Sequence, residues 1–302
     1  MFSLELCGAR PSGHNTQPWL FKLSDDRVEL YADRIRGLPV VDPEDRALII
    51  SYGASLFHLR LALKHFGYSG EVETFPDPDN PDLLARVRLG SEHGATEEER
   101  SLFRAIPKRH SNRQAFEDRR VPERLLAALQ EAAREEGAWL YVAQEADAKH
   151  AIAELIGEGD RVQWADKRFR RELASWMHPN RSRSRDGMPG YAFGFDDVMA
   201  AVGPLVMRTF DLGKGQAAKD RQLADGSPVL AVLGTEADES AEWLSAGQAL
   251  ALFAASAVAG SFVGTYLVRY IPQGMLRKSF AVFLVLMSIF IIYENRQVIP
   301  FL

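Results

Sequence analysis

Cysteine is almost missing from this chain: Cys7 stands alone among 302 residues. That excludes an internal disulfide and any metal centre built on several thiolates, and it fits a reducing compartment. Histidines 14, 58, 65, 93, 110, 150 and 178 are scattered; His58 and His65 share one helical face but lack an acidic or third partner, so no metal site is expected. Met1 to Ala9 has neither the basic start nor the long apolar stretch of an export signal. The most uneven shortage is of charge. From Leu244 to Leu302 the only charged residues are Arg269, Arg277, Lys278, Glu294 and Arg296, a balance of +3, whereas the preceding 243 residues carry −8. A break of this kind marks a change of physical environment.

Leu244 to Val268 is a run of 25 uncharged residues, long enough to cross a hydrocarbon core, and Ser279 to Tyr293 adds a second run of 15. Arg269-Tyr270-Ile271-Pro272-Gln273-Gly274 breaks the two runs apart, so the tail reads as an apolar helical hairpin with membrane contact through residues 246–293. Ala246, Gly247, Ala249, Ala251, Gly260 and Gly264 are small, as suits helices that approach closely. The competing reading of Ala246 to Ala257 is a buried helix of the charge-rich part.

Before the tail, Pro18 to Leu23 and Val28 to Ala32 flank the polar turn Ser24-Asp25-Asp26-Arg27, a hairpin pattern. Asp42-Pro43-Glu44-Asp45 opens a helix whose Leu48, Tyr52, Leu56, Leu59, Leu63 and Phe66 recur every three or four residues, and Gly67 ends it. Glu71 to Phe75 and Leu84 to Leu89 read as strands. Thr96-Glu97-Glu98-Glu99 is a capping box that starts a helix running to about Ile106. Pro122 to Glu136 reads as a helix and Trp139 to Ala143 as a strand. Glu145 to Met177 reads as helical, interrupted near Gly157 and Gly159, and Pro228 to Leu233 as a buried strand. Short strands and long helices without regular alternation predict an α+β fold.

Two clusters could carry chemistry. Arg10-Pro11-Ser12-Gly13-His14-Asn15-Thr16-Gln17-Pro18-Trp19 sets a hydroxyl, an imidazole and two amides between prolines, a composition suited to a planar, heteroatom-rich ligand or to a simple polar turn. Pro107-Lys108-Arg109-His110-Ser111-Asn112-Arg113 supplies cations and a hydroxyl that suit a phosphate, or else form a solvated basic loop. Gly213-Lys214-Gly215-Gln216-Ala217-Ala218 imitates a dinucleotide fingerprint but follows no strand. Arg181, Arg183 and Arg185 alternate with serines before Asp186-Gly187-Met188-Pro189-Gly190-Tyr191. In an acidic domain this is no nucleic-acid signature. The glycine-punctuated stretch from Arg181 to Gly194 reads as a mobile lid over a ligand site.

The Arg10 to Trp19 loop, Asp45 to Gly67 with its Ile50 to Leu56 core, the Lys108 to Phe116 cluster and the Gly226 to Thr235 strand together resemble the Acg-like branch of the nitroreductase superfamily over about residues 1–250. The resemblance implies a two-lobed single-chain pseudo-dimer, a mixed and mainly antiparallel sheet flanked by helices, with halves at about 1–106 and 107–250 and both ends shortened. It implies FMN held by Arg109, His110, Ser111 and Arg113 at phosphate and ribityl, and by Pro11, Ser12 and Asn15 at the ring. The flavin would do the chemistry, so no catalytic side chain is named. Electrons would pass from NAD(P)H or a reduced flavin to a nitroaromatic or quinone-like acceptor, in a cytoplasmic, monomeric protein. A non-catalytic flavin-sequestering protein is the second reading. Residues 251–302 resemble the last two helices of the sulfite exporter TauE/SafE permeases, which implies a membrane component of sulfur-compound export as the third reading, or a chain fused from two fragments.

Overall fold

A computed structural model of the chain describes residues 11–109, 116 and 119–270, with side chains as far as residue 256. Two compact units divide the chain, 1–257 and 258–302. In the second, 258–270 continue the last helix, and the runs from 271 onward, including Ser279 to Tyr293, lie outside the described residues.

The first unit opens on the expected hairpin, β1 (Trp19–Leu23) paired antiparallel with β2 (Arg27–Ala32). Helix α1 (Arg46–His65) follows, then β3 (Tyr68–Thr74) and β4 (Leu83–Glu92). The four strands form one antiparallel sheet in the order β1-β2-β4-β3. Leu30, Leu84, Ala85 and Val87 pack from this sheet onto Leu48, Tyr52, Leu56 and Leu63 of α1, making the main core. The helix begins later than its Asp-Pro-Glu-Asp signal suggests. Asp42 still caps it, from upstream: its carboxylate accepts from the backbone N–H of Ala47 at 3.0 Å and of Leu48 at 2.8 Å.

Helix α2 (Glu97–Ala105) starts on the capping box, with Thr96 Oγ1 accepting from Glu99 N at 3.2 Å and Glu99 accepting from Thr96 N at 2.9 Å. Helix α3 (Glu123–Glu135) then packs Leu129 and Ala133 on Leu140 of β5 (Trp139–Ala143). Helix α4 (Ala146–Ala165) runs unbroken through Gly157 and Gly159, where the sequence predicts an interruption. The break falls instead at Asp166, whose side chain caps α5 (Lys167–Ser175) by accepting from Arg168 N at 2.7 Å. Gly157 has a packing role: a Cβ there would lie 3.2 Å from the guanidinium of Arg221 on α7 (Gly213–Asp225). The Gly213 to Ala218 fingerprint is simply the first turns of α7, with Gly213 pressed against Trp164.

Short strands β6 (Met177–His178) and β7 (Met188–Pro189) pair parallel, α6 (Asp197–Thr209) precedes α7, and β8 (Leu230–Gly234) pairs antiparallel with β5. The strand expected to be buried is not: Ala231 and Val232 are exposed, the latter opposite the exposed Tyr141, and no residue of β8 is fully buried. The architecture is α+β, as the sequence predicts.

Helix α8 (Ser240–Tyr270) settles the use of the first apolar run. Leu244 is buried in the main core, and Ala251 and Leu252 sit in a second cluster with Ala54, Phe57 and Leu61 of α1. The crossing is closest at two glycines. A Cβ on Gly53 would lie 2.0 Å from Leu244 O and 2.8 Å from Gly247 Cα; a Cβ on Gly247 would lie 1.9 Å from Ile50 O. The small residues therefore do permit close helix approach, but through Ser256 they serve the core of the first unit. Among the described residues no helix is long and apolar enough to cross a membrane.

Because backbone blocks both glycines, no rotamer change can relieve an added methyl. Gly53→Ala and Gly247→Ala should each cost about 3 kcal/mol, and differential scanning calorimetry should show Tm lowered by roughly 10 °C. Elsewhere, burial and the facing Asp220 push the Asp160 carboxyl on α4 up to about 6. A raised carboxyl favours the folded state below its unfolded value and loses that favour as pH rises through 6. Asp160→Asn should thus raise Tm by a few degrees at pH 7.5, about 1 kcal/mol after solvent screening, with the gain vanishing near pH 4.

Candidate functional site

The Pro11 to Pro18 loop is held from below by α1. Tyr52 is fully buried, and its hydroxyl reaches the carbonyl oxygens of Pro18 and of Tyr31, the latter at 2.6 Å, while accepting from Asp33 N at 2.9 Å. Burial pushes its phenol pKa up, so it stays a protonated donor. Asp33 N also donates to Pro18 O at 2.8 Å. The end of the loop is thereby fixed to both β-strands and to the helix that carries Gly53.

Within the loop, Gly13–Asn15 make a single turn, and His14, Asn15 and Gln17 take positive φ of 48°, 54° and 51°. Three such non-glycine residues in four positions store backbone strain, which persists only where surroundings over-determine it. The surroundings are visible. Gln17 N donates to Ser12 Oγ at 3.1 Å, Thr16 N to Gly13 O at 2.9 Å, and Arg36 Nη1 to Thr16 O at 2.8 Å. His14 is largely buried, which lowers its pKa and keeps the imidazole neutral.

The Asn15 amide faces away from its own loop. It donates to Gly187 O at 2.9 Å and Arg185 O at 3.3 Å, and Gly187 N returns a bond to Asn15 O at 3.0 Å. Gln17 Nε2 also donates to Arg185 O. The Arg181 to Gly194 segment is thus clasped to the loop by four bonds, three of them side-chain amide to backbone carbonyl. Gly187 has φ of 71°, and a Cβ there would fall 2.4 Å from His178 Nε2, so only glycine fits.

Asp186 completes the clasp. It accepts from Arg36 Nη1 at 2.6 Å and from Ser184 Oγ, and His178 Nε2 lies 3.6 Å away. The Ser184 hydrogen bond and the Arg36 cation hold its carboxyl below the usual range, against the opposing effect of burial. No local pattern marks Arg36 or pairs it with Asp186, since the partners are 150 residues apart and only the fold joins them. Beside the clasp lies a surface cavity of about 520 Å3, walled by Gln17, Trp19, Leu20 and Phe21 on one side and by Ser184, Arg185 and Asp186 on the other, with Asp33 and Arg36 between. Its volume is within the range of small-molecule sites.

Of the expected flavin contacts, Pro11, Ser12 and Asn15 stand together in this loop. Arg109 follows the short helical turn Ile106–Lys108 after α2, with its N–H bonded to Ala105 O at 3.1 Å. Its guanidinium is partly buried, and loss of solvation lowers its pKa. His110, Ser111 and Arg113 lie outside the described residues. Among the described residues there is no group of three or more metal-ligating side chains.

Removing the Asn15 amide should free the clasp without disturbing the core. Asn15→Ala should speed tryptic cleavage after Arg183 and Arg185 at least ~5-fold, with Tm lowered by only a few degrees, because two hydrogen bonds are worth about 1 kcal/mol each. Limited proteolysis read by mass spectrometry checks this. Acid should loosen the same clasp. A depressed carboxyl stabilises above its unfolded value and loses that contribution as pH falls through its folded value, so the parent should become more cleavable below about pH 4, as followed with pepsin.

No family model matches the chain. Curated relatives do. A Mycobacterium tuberculosis protein named "Putative NAD(P)H nitroreductase Rv3131" is 31% identical over 257 residues, 85% of this chain and 72% of the relative. An uncharacterized protein of the same organism is 29% identical over 250 residues, covering 80% and 69% of the two chains. The M. tuberculosis protein named "Putative NAD(P)H nitroreductase acg" is 34% identical over 114 residues, covering 38% and 34%. None of these names supports the permease resemblance of the tail. With the loop, the α1 motif and the strand order of residues 11–92 in place, the kinship rests on most of the chain's length, and the chain belongs to the nitroreductase family, alongside the Acg protein.

Proposed function

We propose that the chain is an FMN-dependent oxidoreductase of nitroreductase type, which takes electrons from NAD(P)H or a reduced flavin and delivers them to nitroaromatic or quinone-like acceptors. The observation that carries this reading is the clasped loop: a strained, polar segment held rigid by Tyr52, Arg36 and the Gly187 backbone. In the family to which the chain belongs, that segment lies where the resemblance puts the flavin ring. Two nitroreductase-like halves, about 1–106 and 107–250, would share the cofactor within one chain.

The donor set suits FMN in chemical type. Arg109, His110, Ser111 and Arg113 would hold its phosphate and ribityl chain through charge-assisted bonds. Pro11 and Ser12 would border the ring. The Asn15 amide N–H groups are already committed to the clasp, so Asn15 would act on the ring through its side-chain oxygen or by fixing the loop. The bound flavin supplies the electron-transfer chemistry; the side chains position it, exclude water and set the local charge. No protein nucleophile is needed.

Purified full-length protein incubated with FMN should bind it at 1:1 stoichiometry, with quenched flavin fluorescence, and NAD(P)H should bleach the yellow colour in the absence of oxygen. Arg109→Ala should weaken FMN binding at least ~10-fold, about 1.4 kcal/mol. Parent-like binding by Arg109→Ala would remove Arg109 from the site. A flavin that binds tightly yet resists reduction by NADH and NADPH would favour a sequestering role.

A further inference from the structure

We propose that the cavity beside the clasp takes the adenosine end of the electron donor and that Arg185 selects NADPH over NADH through the 2′-phosphate. This rests on the oxidoreductase reading above and decides what the relatives' names leave open, since NAD(P)H covers both nucleotides.

The argument is one of charge and position. Four charged side chains line the cavity: Asp33, Arg36, Arg185 and Asp186. Three of them are tied together, two carboxylates around one guanidinium, which leaves the trio a net charge of −1. Arg36 pairs with Asp186 at 2.6 Å and with Asp33 at 3.5 Å, and the Ser184 hydroxyl is turned onto Asp186 as well. Arg185 is the exception. Its side chain is exposed and makes no ion pair or hydrogen bond among the described residues, although neighbouring Arg181 is tied to Asp197 at 2.9 Å. Its backbone is anything but loose, because Arg185 O accepts from both Asn15 and Gln17. An uncommitted guanidinium is therefore carried on a pinned main chain at the rim of a ligand-sized cavity.

The guanidinium of Arg185 is the one lining cation without a carboxylate partner among the described residues, and a phosphate seated on it would lie clear of the Arg36 group. Guanidinium matches a phosphate with two parallel charge-assisted bonds, and a pre-positioned backbone lowers the entropy lost on binding. The rest of the wall suits the base: Leu20 on β1 is 54% exposed and offers an apolar surface for adenine. A nicotinamide nucleotide without the 2′-phosphate would leave Arg185 unused and gain only the apolar contact. The cavity also begins at Gln17, in the loop where the resemblance puts the flavin ring, so a donor seated there by its adenosine end would reach toward the ring.

Calorimetric titration of the full-length protein tests this, with adenosine 2′,5′-bisphosphate and adenosine 5′-monophosphate as probes. The parent should bind the bisphosphate at least ~10-fold tighter. Arg185→Ala should bring the two within about threefold, and Arg185→Lys should keep part of the preference, since a point charge replaces a bidentate fork. Equal affinity of the parent for both probes, or undiminished preference in Arg185→Ala, overturns the proposal. Because the clasp uses the backbone carbonyl of Arg185, both variants should keep the parent's Tm. Anaerobic bleaching on the same samples separates the two levels of the argument: if neither NADH nor NADPH bleaches bound flavin, the nicotinamide-donor reading on which this proposal rests fails, whereas bleaching by both with equal KM overturns only the selection by Arg185.

Discussion

The contact between Gly53 and Gly247 is the constraint on which the arrangement of the first unit depends. Two helices whose backbones meet at van der Waals distance, with each missing Cβ facing the other's main chain, have one workable crossing point. Once α8 is seated there, Leu244 closes the sheet-facing core and Leu252 the cluster beneath Phe57. Arg60, two turns along α1, then reaches Gln248 at 2.7 Å and Glu136 at 2.6 Å, joining α1 to α8 and to the end of α3. The residue beside Gly53 is Tyr52, and its hydroxyl fixes the Pro18 end of the polar loop. Core geometry and loop geometry are therefore set on adjacent residues of one helix.

From the loop the dependence continues outward by hydrogen bonds rather than apolar contact. Asn15 and Gln17 hold the Arg185 to Gly187 backbone, and Arg36 ties Thr16 O to Asp186. A second tie runs parallel: Glu172 on α5 accepts from the N–H of Val40 at 2.9 Å and of Val41 at 3.0 Å, while both valines pack on the cluster around Trp164 and Leu173. Segments more than 130 residues apart are thus joined by bonds that are individually modest. A site assembled in this way can be rigid where the amides grip and still open when a few of them are exchanged for water, as a covered flavin site requires.

How much of this was legible follows from the range of the interactions. Local signals did well: the Ser24 to Arg27 turn, the Thr96 capping box and the Gly67 helix end lie within a residue or two of their expected places, because turn and cap chemistry is decided by neighbours. The Gly157 interruption was misplaced because a glycine that breaks a helix and one that admits a neighbouring helix look alike until Arg221 is in place. Helices α6 and α7 carry weak patterns that mark no boundaries, and the apolar run of β8 reads as buried because it does not reveal that its sheet has two strands among the described residues. In the site, the loop was legible as a cluster of polar groups. The direction of the Asn15 amide was not, since its acceptor is 172 residues away. The tail shows the same limit. Small apolar residues announce close helix approach, yet whether the partner is lipid, another tail helix or α1 is decided by Gly53, nearly two hundred positions upstream.

The central claim is that the Pro11 to Pro18 loop and the Arg181 to Gly194 segment form one clasped unit that carries the flavin. Hydrogen exchange read by mass spectrometry on the full-length protein, with and without FMN, tests it directly. The account predicts that FMN slows exchange in residues 11–18 and 182–189 together, by at least ~10-fold, and that Asn15→Ala abolishes the protection in both. Protection of neither segment, or of one without the other, would contradict it.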